Sequence, residues 1–262
     1  MKLLFIGDIV SRLGRQTVTR VLPSIKKEHA IDFVIANAEN LAGGRGASVD
    51  TLHEMMRSGI DYFTSGDHIF WGEDAEKILE DEGMRVLRPA NFPDDVIGRG
   101  YYVLNVGGTK LGIISLVGKT FETPPVGATD IFRTADRILE EIGMNYPILI
   151  DVHSEFTSEK IAFANYVSDR VSVVVGTHTH VGTVDARIIN SRTGFVSDVG
   201  MVGPYDSVIG VETDIIIAKQ MYPYPQRFEW VKSGTAVFNS VFADISDEGV
   251  CVDFGRIDQV IP

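Results

Sequence analysis

Short apolar runs alternate with segments of helical periodicity through the first part of the chain. The apolar runs Lys2–Gly7, Ile31–Asn37 and Ile60–Ser65 have the length and bounding polar residues of buried strands. A helical pattern covers Gln16–Lys27, and Ser48 is placed to cap a second helix that extends to about residue 58. Strand–helix–strand order predicts parallel strands joined by right-handed crossovers.

The rest of the chain adds a hairpin, further strand–helix units and a tail of mainly β character. Repeats, low-complexity segments and linkers are absent from the sequence, so we expect one domain over residues 1–262, with a sheet from each part packed together. The predicted elements are a hairpin at Gly100–Val106 and Lys110–Val117, helices at Ile131–Gly143 and Ser158–Val167, strands at Pro147–Val152, Val171–Val175, Ala186–Ile189 and Phe195–Asp198, and a tail hairpin at Ala236–Asp244 and Val250–Ile257.

Five of the strand-like runs end in glycine, acidic, amide or histidine residues. The carboxyl ends of parallel strands open into one crevice, so these side chains should converge although they are far apart in sequence. Carboxylate, amide and imidazole groups are suitable ligands for manganese, iron, zinc and related ions. The clusters are Gly7-Asp8, Glu39-Asn40, Gly66-Asp67-His68, His153 and Gly176-Thr177-His178-Thr179-His180.

Each cluster taken alone has an ordinary structural explanation. An aspartate after a strand, such as Asp8, is usually a turn or cap residue, and a single histidine is usually a hydrogen-bonded structural residue. The pair His178 and His180 is a stronger signal, because alternate residues of a strand point the same way. The shared position of all the clusters at strand ends favours a metal site. The loop Gly43–Gly46, with Arg45, can cradle a phosphate, but it lacks the Gly-Lys-Ser/Thr ending of a P-loop.

Charge and cysteine content restrict the class of protein. The formal net charge of −12 repels polyanions, so we expect no general nucleic-acid binding, although bound metals can reverse the local sign for a small anionic substrate. No apolar run reaches the roughly 18 residues of a membrane span, and the N-terminus lacks a signal-peptide cleavage site. With Cys251 as the only cysteine, these features predict a cytoplasmic protein without membrane association.

The strand-end motifs together resemble those of the calcineurin-like metallophosphoesterases. A closer resemblance, to the bacterial YmdB-like branch, covers essentially the whole chain. It implies an α/β fold with four layers, an α/β/β/α sandwich of two mixed β-sheets flanked by helices, and a dinuclear metal site. The motifs behind the closer resemblance are Gly7-Asp8-Ile9-Val10, Asn37-Ala38-Glu39-Asn40, His153-Ser154-Glu155 and Thr157-Ser158-Glu159-Lys160.

The resemblance also implies a set of metal ligands with Glu39 as the bridge. Asn40 stands where the branch replaces the histidine of the broad family's first motif, and Asp67 departs from the asparagine usual in the third motif. The expected cofactors are two divalent or trivalent ions, iron or manganese first, with zinc or magnesium as alternatives. The expected ligands are Asp8, Glu39, Asn40 and His180 for one metal, and Glu39, Asp67, His153 and His178 for the other.

The resemblance further implies a phosphodiesterase that acts on a small phosphodiester or nucleotide, with 2′,3′-cAMP and 3′,5′-cAMP as candidates. We expect a metal-bridging hydroxide to attack phosphorus. We expect His68, which follows Asp67, to lie at the rim of the site and to be the general acid for the leaving oxygen. Candidate rim loops are Phe121–Asp130 and Gly203–Val211. Aromatic residues that could stack on a base are Phe70, Trp71, Phe92, Phe121 and Tyr205.

Two other functions use the same ligands. A phosphomonoesterase or nucleotidase can be built on the same metal core, because a fold does not fix the substrate. A metal-bound regulatory protein with weak catalysis is the non-enzymatic alternative. A serine or cysteine hydrolase is excluded, because Cys251 lies in the predicted tail hairpin and no Gly-x-Ser-x-Gly motif is present. The oligomeric state is left open, a homo-oligomer included.

Overall fold

A computed structural model describes residues 1–119 and 125–262 of the chain. None of its helices there is long and apolar enough to cross a membrane. Two short 3₁₀ helices occupy Asp67–Trp71 and Glu82–Met84. The α-helices are α1 (Ser11–His29), α2 (Val49–Arg57), α3 (Ala75–Glu80), α4 (Ile131–Ile142), α5 (Thr157–Val167) and α6 (Thr213–Met221).

The strands form three sheets within these residues. In chain order they are β1 (Lys2–Ile6), β2 (Asp8–Ile9), β3 (Phe33–Asn37), β4 (Tyr62–Thr64), β5 (Tyr101–Val106), β6 (Thr109–Val117), β7 (Ile148–His153), β8 (Val173–Thr177), β9 (Arg187–Ile189), β10 (Thr193–Val196), β11 (Met201–Pro204), β12 (Ala236–Phe238), β13 (Ser240–Ile245), β14 (Cys251–Arg256) and β15 (Gln259–Ile261).

Both large sheets have a parallel centre with antiparallel additions. The first has the order β14-β13-β1-β3-β4, in which β1, β3 and β4 are parallel and the β13–β14 hairpin is antiparallel to them. The second has the order β5-β6-β7-β8-β10-β9, parallel from β6 to β10. The third, β15-β12-β11-β2, has four short strands. The parallel centres are the arrangement that the strand–helix–strand pattern predicts.

Alternate strand residues face different neighbours, and this alternation builds the layers. In β1, Leu4 and Ile6 pack into a core under α1 and α2, whereas Leu3 and Phe5 pack toward the second sheet. In β7, Leu149 belongs to the same buried cluster between the two large sheets as Leu3 and Phe5. Its neighbours Ile148 and Ile150 pack on the other face of the second sheet, against α4 and α5. Three buried clusters therefore fill the three gaps between four layers, which confirms the α/β/β/α sandwich.

Local sequence explains most element boundaries. The Ser48 hydroxyl accepts a hydrogen bond from the Thr51 amide, so the predicted cap of α2 is confirmed. Helix α1 begins at Ser11, earlier than predicted, because Val10 already serves as its N-cap position. Its buried residues Val18, Val21, Leu22 and Ile25 follow helical spacing.

The predicted tail hairpin is partly wrong. The run Ala236–Asp244 is not one strand, because the chain leaves the third sheet after β12 and enters the first sheet at β13. At this crossover the carbonyl of Asn239 accepts a hydrogen bond from the Gly7 amide, 3.2 Å away. Helix α6 and strand β11 are absent from the predictions. Helix α6 has no buried residue, and strand β11 is only four residues long, so neither produces a clear hydrophobic pattern in the sequence.

Candidate metal centre

Every predicted ligand lies at the carboxyl-terminal edge of the two large sheets. The loops after β1, β3, β4, β7 and β8 meet there, as open α/β topology requires. Strand β2 pairs with β11, and this pairing fixes Asp8 immediately after β1. The residues brought together are Asp8, Glu39, Asn40, Asp67, His68, His153, His178 and His180.

Glu39 is the centre of the arrangement. Its side chain is 1% exposed, and its Oε1 lies 3.0 Å from Nε2 of His153 and 3.1 Å from Nδ1 of His68. Two groups of potential ligand atoms include Glu39, and within each group all the atoms lie within 4.8 Å of one another. One group adds His153 and His178, and the other adds Asp67 and His68. A carboxylate shared by two ligand groups is the geometry that a bridging ligand needs.

Asp8, Asn40 and His180 form the adjoining part of the centre. Nδ2 of Asn40 lies 3.3 Å from Oδ1 of Asp8 and 3.2 Å from Nε2 of His180. Nε2 of His180 is 3.8 Å from the same Asp8 oxygen. The Asp8 carboxylate also accepts a hydrogen bond from the His178 amide at 3.2 Å, so the β8 loop is tied to the first sheet. These three side chains face one another beside Glu39, and their assignment to one metal stays a prediction.

A buried relay orients His153. Its Nδ1 lies 2.8 Å from the Thr177 hydroxyl, which in turn donates to Oδ1 of Asp151 at 2.8 Å. Because the hydroxyl proton goes to Asp151, the hydroxyl oxygen accepts the proton on His153 Nδ1. Nε2 is then the nitrogen directed at Glu39, and such a second layer of hydrogen bonds also raises the basicity of a ligand.

His178 and His180 are oriented by separate acceptors. Nε2 of His178 donates to Glu155 at 2.8 Å, which leaves Nδ1 facing Nε2 of His153 at 3.0 Å. Nδ1 of His180 donates to the carbonyl oxygen of Ile209 at 3.0 Å, which leaves Nε2 for the centre. For all three histidines, one nitrogen is anchored outside the centre and the other points into it.

The loop that carries these histidines has an unusual backbone. His178 (φ 105°) and His180 (φ 64°) occupy the positive-φ region, and so does Ile209 (φ 47°) in the segment between β11 and α6 that holds His180. This region is costly for residues with side chains and is concentrated at functional sites. A fully buried ion pair braces the loop: Nζ of Lys160 lies 2.7 Å from Asp198 and donates to the Thr177 carbonyl at 2.8 Å. The Lys160 contacts therefore stabilise a strained backbone that directs imidazole nitrogens into the centre.

Gly66 is required by the close approach of the first sheet to the ligands. A β-carbon at this position would lie 2.1 Å from Oε2 of Glu39 and 2.2 Å from Cδ2 of His153. No side chain fits there without displacing one of these two groups. The glycine that ends β4 thus leaves the space in which the two ligands meet.

Charge and burial oppose each other within the centre. Burial raises the pKa of Asp8 despite the nearby His180 and His153. Burial also acts to raise the pKa of Glu39, but the charge and hydrogen bond of His153 hold it well below its usual range. Burial acts to lower the pKa of His153, and the Glu39 carboxylate raises it to about 10. Burial, followed by the charge of His153, lowers the pKa of His178 to about 2.

The donor groups of the centre are of the kind that binds metal cations. Without a metal, the proton on His153 is what compensates the buried Glu39 carboxylate. The nitrogens of His153 and His178 meet head to head at 3.0 Å beside Glu39, an arrangement suited to a shared cation. Carboxylate, amide and imidazole donors accept several first-row divalent ions, so the residues present fit a metal-dependent centre.

Two details differ from the expected picture. Asp67 groups with Glu39 and His68, whereas the expected set joined it to His153 and His178, so the division of ligands between two metals stays a prediction. His68 is closer in than a rim position, because its Nδ1 lies 3.2 Å from Oδ1 of Asn40 as well as next to Glu39. The Glu39 and Asn40 oxygens are the hydrogen-bond partners for His68 that could not be identified from the sequence.

The candidate base-stacking residues separate into different environments. Trp71 contacts His68 edge to face, with ring centroids 4.8 Å apart, and is 58% exposed, so it borders the centre. Phe70 and Phe92 contact each other at 5.2 Å. Tyr205 is exposed. Phe121 and the start of the predicted loop Phe121–Asp130 lie outside the described residues.

Sequence reasoning missed the residues that orient the ligands. Asp151, Thr177, Glu155, Lys160 and Asp198 have no assigned role in the sequence analysis. Glu155, Lys160 and Thr177 do fall within the quoted motifs, which was an available signal. Asp198 could not be found this way, because only the folded chain brings it to Lys160, 38 residues earlier.

The chain matches a known protein family over nearly its whole length. The family model described as YmdB-like protein matches residues 4–257. The 2′,3′-cyclic-nucleotide 2′-phosphodiesterase of Bacillus subtilis (strain 168) is 39% identical over 251 residues, which are 95% of this chain and 92% of that protein.

Two crystal structures share the whole fold. A hypothetical protein from Thermus thermophilus is 36% identical, with a TM-score of 0.92 and complete coverage of both chains. A novel phosphatase from Mycoplasma pneumoniae is 28% identical, with a TM-score of 0.94 over 100% of this chain and 94% of that one.

Proposed function

Because this chain belongs to the YmdB-like protein family, we propose that it is a metal-dependent phosphodiesterase that hydrolyses 2′,3′-cyclic nucleotides. The observation that carries the proposal is the buried Glu39 carboxylate, which two groups of ligand atoms share. The substrate class is supported by the cyclic-nucleotide phosphodiesterase of Bacillus subtilis, which aligns with 95% of this chain.

The chain's own residues would hold two metal ions side by side. Asp8, Asn40 and His180 lie on one side of Glu39, and His153 and His178 on another. Asp67 approaches Glu39 in the second ligand group. Bound there, two such ions supply an activated water and neutralise charge on the phosphate oxygens.

His68 is proposed as the acid that protonates the leaving oxygen. Its Nδ1 donates toward Glu39 Oε1 and Asn40 Oδ1, which leaves Nε2 as the nitrogen that can give up a proton. Burial acts to lower the pKa of His68, but the hydrogen bond to Glu39 and its charge raise the pKa above the usual histidine value, so the proton that the acid must donate is held more firmly than on a free imidazole. The side chain is 23% exposed and can reach a bound ligand.

The overall reaction consumes one water. The water oxygen bonds to phosphorus as the bond from phosphorus to the 2′-oxygen breaks. The 2′-oxygen takes the proton from His68, and the water gives up one proton, which restores the acid. The product is a nucleoside 3′-monophosphate with a free 2′-hydroxyl.

Phosphomonoesterase activity is the second candidate, because the similar Mycoplasma pneumoniae structure is described as a phosphatase. Initial rates with Mn²⁺ or Fe²⁺ separate the candidates when three substrates are compared: 2′,3′-cAMP, 3′,5′-cAMP and p-nitrophenyl phosphate. The proposal predicts the highest kcat/KM for 2′,3′-cAMP, 3′-AMP as product, and loss of turnover in EDTA. A faster rate on the monoester, or turnover that persists in EDTA, would contradict it.

A further inference from the structure

An outer pocket lies beside the metal centre and outside the ligand set. It encloses about 650 Å³, within the range typical of small-molecule sites. Its lining includes Arg45, Lys219, Tyr222, Tyr224, Phe228 and Trp230. The pocket is therefore built from the Gly43–Gly46 loop and from the segment between β11 and β12, neither of which supplies a proposed metal ligand.

A chain of ring contacts joins this outer pocket to the centre. The Arg45 guanidinium lies 5.1 Å from the centroid of the Trp71 ring, which itself contacts His68. Arg45 also lies 5.8 Å from the centroid of Phe228, and Nζ of Lys219 lies 4.8 Å from the same ring. A ligand that extends from the centre past Trp71 would therefore meet two cations and an aromatic ring.

The two cations have no anionic partner among the described residues. Among the described residues, Arg45 and Lys219 make no side-chain hydrogen bond or ion pair, and each lies over at least one aromatic ring. The pocket lining contains no carboxylate, although the chain carries a net charge of −12. In contrast, a groove of about 500 Å³ near the start of β4 is lined by four carboxylates, Asp61, Glu80, Asp81 and Glu82, together with two arginines, Arg85 and Arg99. The outer pocket is thus positive in an acidic protein.

The backbone is shaped to hold this pocket against the centre. A β-carbon on Gly44 would lie 2.0 Å from the Trp230 indole, so the loop accepts Trp230 only because this residue is glycine. A β-carbon on Gly210 would lie 2.9 Å from the same indole, and the neighbouring Ile209 carbonyl holds His180. Trp230 therefore packs under segments that also position the ligands.

We infer that the outer pocket binds the next nucleotide of a substrate whose reacting cyclic phosphate lies at the centre. Aromatic rings stack on bases, and Arg and Lys bind phosphate, so the lining matches a base together with a second phosphate. The inference rests on the proposed function and sharpens the substrate class. The substrate is an oligonucleotide that ends in a 2′,3′-cyclic phosphate, in preference to the free mononucleotide.

Kinetics of matched variants test the inference. The wild type should show a KM about ten-fold lower for the dinucleotide ApA 2′,3′-cyclic phosphate than for 2′,3′-cAMP, the effect of one charge-assisted contact. Lys219→Gln should remove this advantage without changing kcat, and it should not alter turnover of bis-p-nitrophenyl phosphate. Lys110→Gln is the control. Lys110 belongs to the β5–β6 hairpin, outside the pocket lining, and it also lies over an aromatic ring, that of Tyr146. Equal KM values in the wild type, or an unchanged Lys219→Gln variant, would overturn the inference.

A binding measurement separates failure of this inference from failure of the proposed function. The chain has two tryptophans, Trp71 and Trp230, and both border this region, so a stacked base should quench intrinsic fluorescence. ApA 2′,3′-cyclic phosphate is titrated in EDTA, where turnover is stopped. Saturable quenching that Lys219→Gln weakens about ten-fold and Lys110→Gln leaves unchanged supports the pocket even if no diester is hydrolysed. Absence of quenching overturns the pocket assignment even if 2′,3′-cAMP is hydrolysed.

Discussion

The metal centre and the outer pocket are neighbours built in opposite ways. Asp8, Glu39 and His153 are at most 1% exposed, and hydrogen bonds constrain their oxygens and nitrogens. In the outer pocket Tyr222 is 52% and Tyr224 70% exposed, and ring contacts replace hydrogen bonds around the cations. Chemistry that depends on fixed charge positions requires the first construction, whereas discrimination between ligands tolerates the second.

Substitution of Glu39 should have the largest effect, because it should disable the metal centre and leave the outer pocket intact. Glu39→Gln removes the charge shared by both ligand groups, and we expect metal loss and a fall in kcat/KM of about 10³-fold on 2′,3′-cAMP. Tryptophan quenching by the dinucleotide in EDTA should remain, because the outer pocket does not contain Glu39. A Glu82→Gln variant is the control, because the exposed Glu82 pairs with the exposed Arg99 and neither belongs to the ligand set. Near-normal activity of Glu39→Gln with metal still bound would contradict the bridging role.

A smaller effect is expected when the second layer alone is disturbed. Thr177→Val removes the hydroxyl between His153 and Asp151, so we expect metal affinity to fall by about 10–100-fold. Excess metal should restore turnover, which a role in the chemical step would not allow. Thr17→Val is the matched control, because within the described residues this buried hydroxyl donates only to the Leu13 carbonyl of its own helix. An unchanged metal affinity in Thr177→Val would exclude the relay.

Metal affinity of the centre should depend on pH. Without metal, the pKa of His153 is raised to about 10, so this imidazole must lose its proton when metal binds. Apparent metal affinity should then rise with pH, by up to about ten-fold per unit for each displaced proton, from about pH 6 to 8. Conversely, the His153–Glu39 pair stabilises the metal-free fold fully below the unfolded histidine pKa of about 6.5 and is lost as pH rises through about 10. Calorimetric titrations at several pH values check the first expectation, and a pH-independent affinity would contradict it.

The same two regions show what sequence reasoning can reach. The centre was predictable because strand ends in an α/β sheet converge, so Asp8, Glu39 and His153 are positioned by topology. Their orienting partners were not predictable, since the histidine tautomers depend on where Thr177, Glu155 and the Ile209 carbonyl lie in the folded chain.

The outer pocket was harder to predict from the sequence than the metal centre. Helix α6 buries no residue, so no apolar stripe marks it. Arg45 was singled out as a phosphate contact, but its partners Phe228 and Lys219 are more than a hundred residues away and have no motif of their own. Long-range contacts between exposed residues leave no periodic signal in a single sequence.

The most direct test of the central claim is metal content measured together with diesterase activity in His68→Ala, with His53→Ala as control because His53 is exposed on α2. We expect about two metal ions per chain in the wild type and in both variants, because the proposed mechanism uses a two-metal centre. For His68→Ala alone, turnover of 2′,3′-cAMP should fall by about 10²–10⁴-fold, the usual contribution of a general acid. Loss of metal from His68→Ala would make His68 a ligand, and full activity with metal bound would contradict its role as the acid.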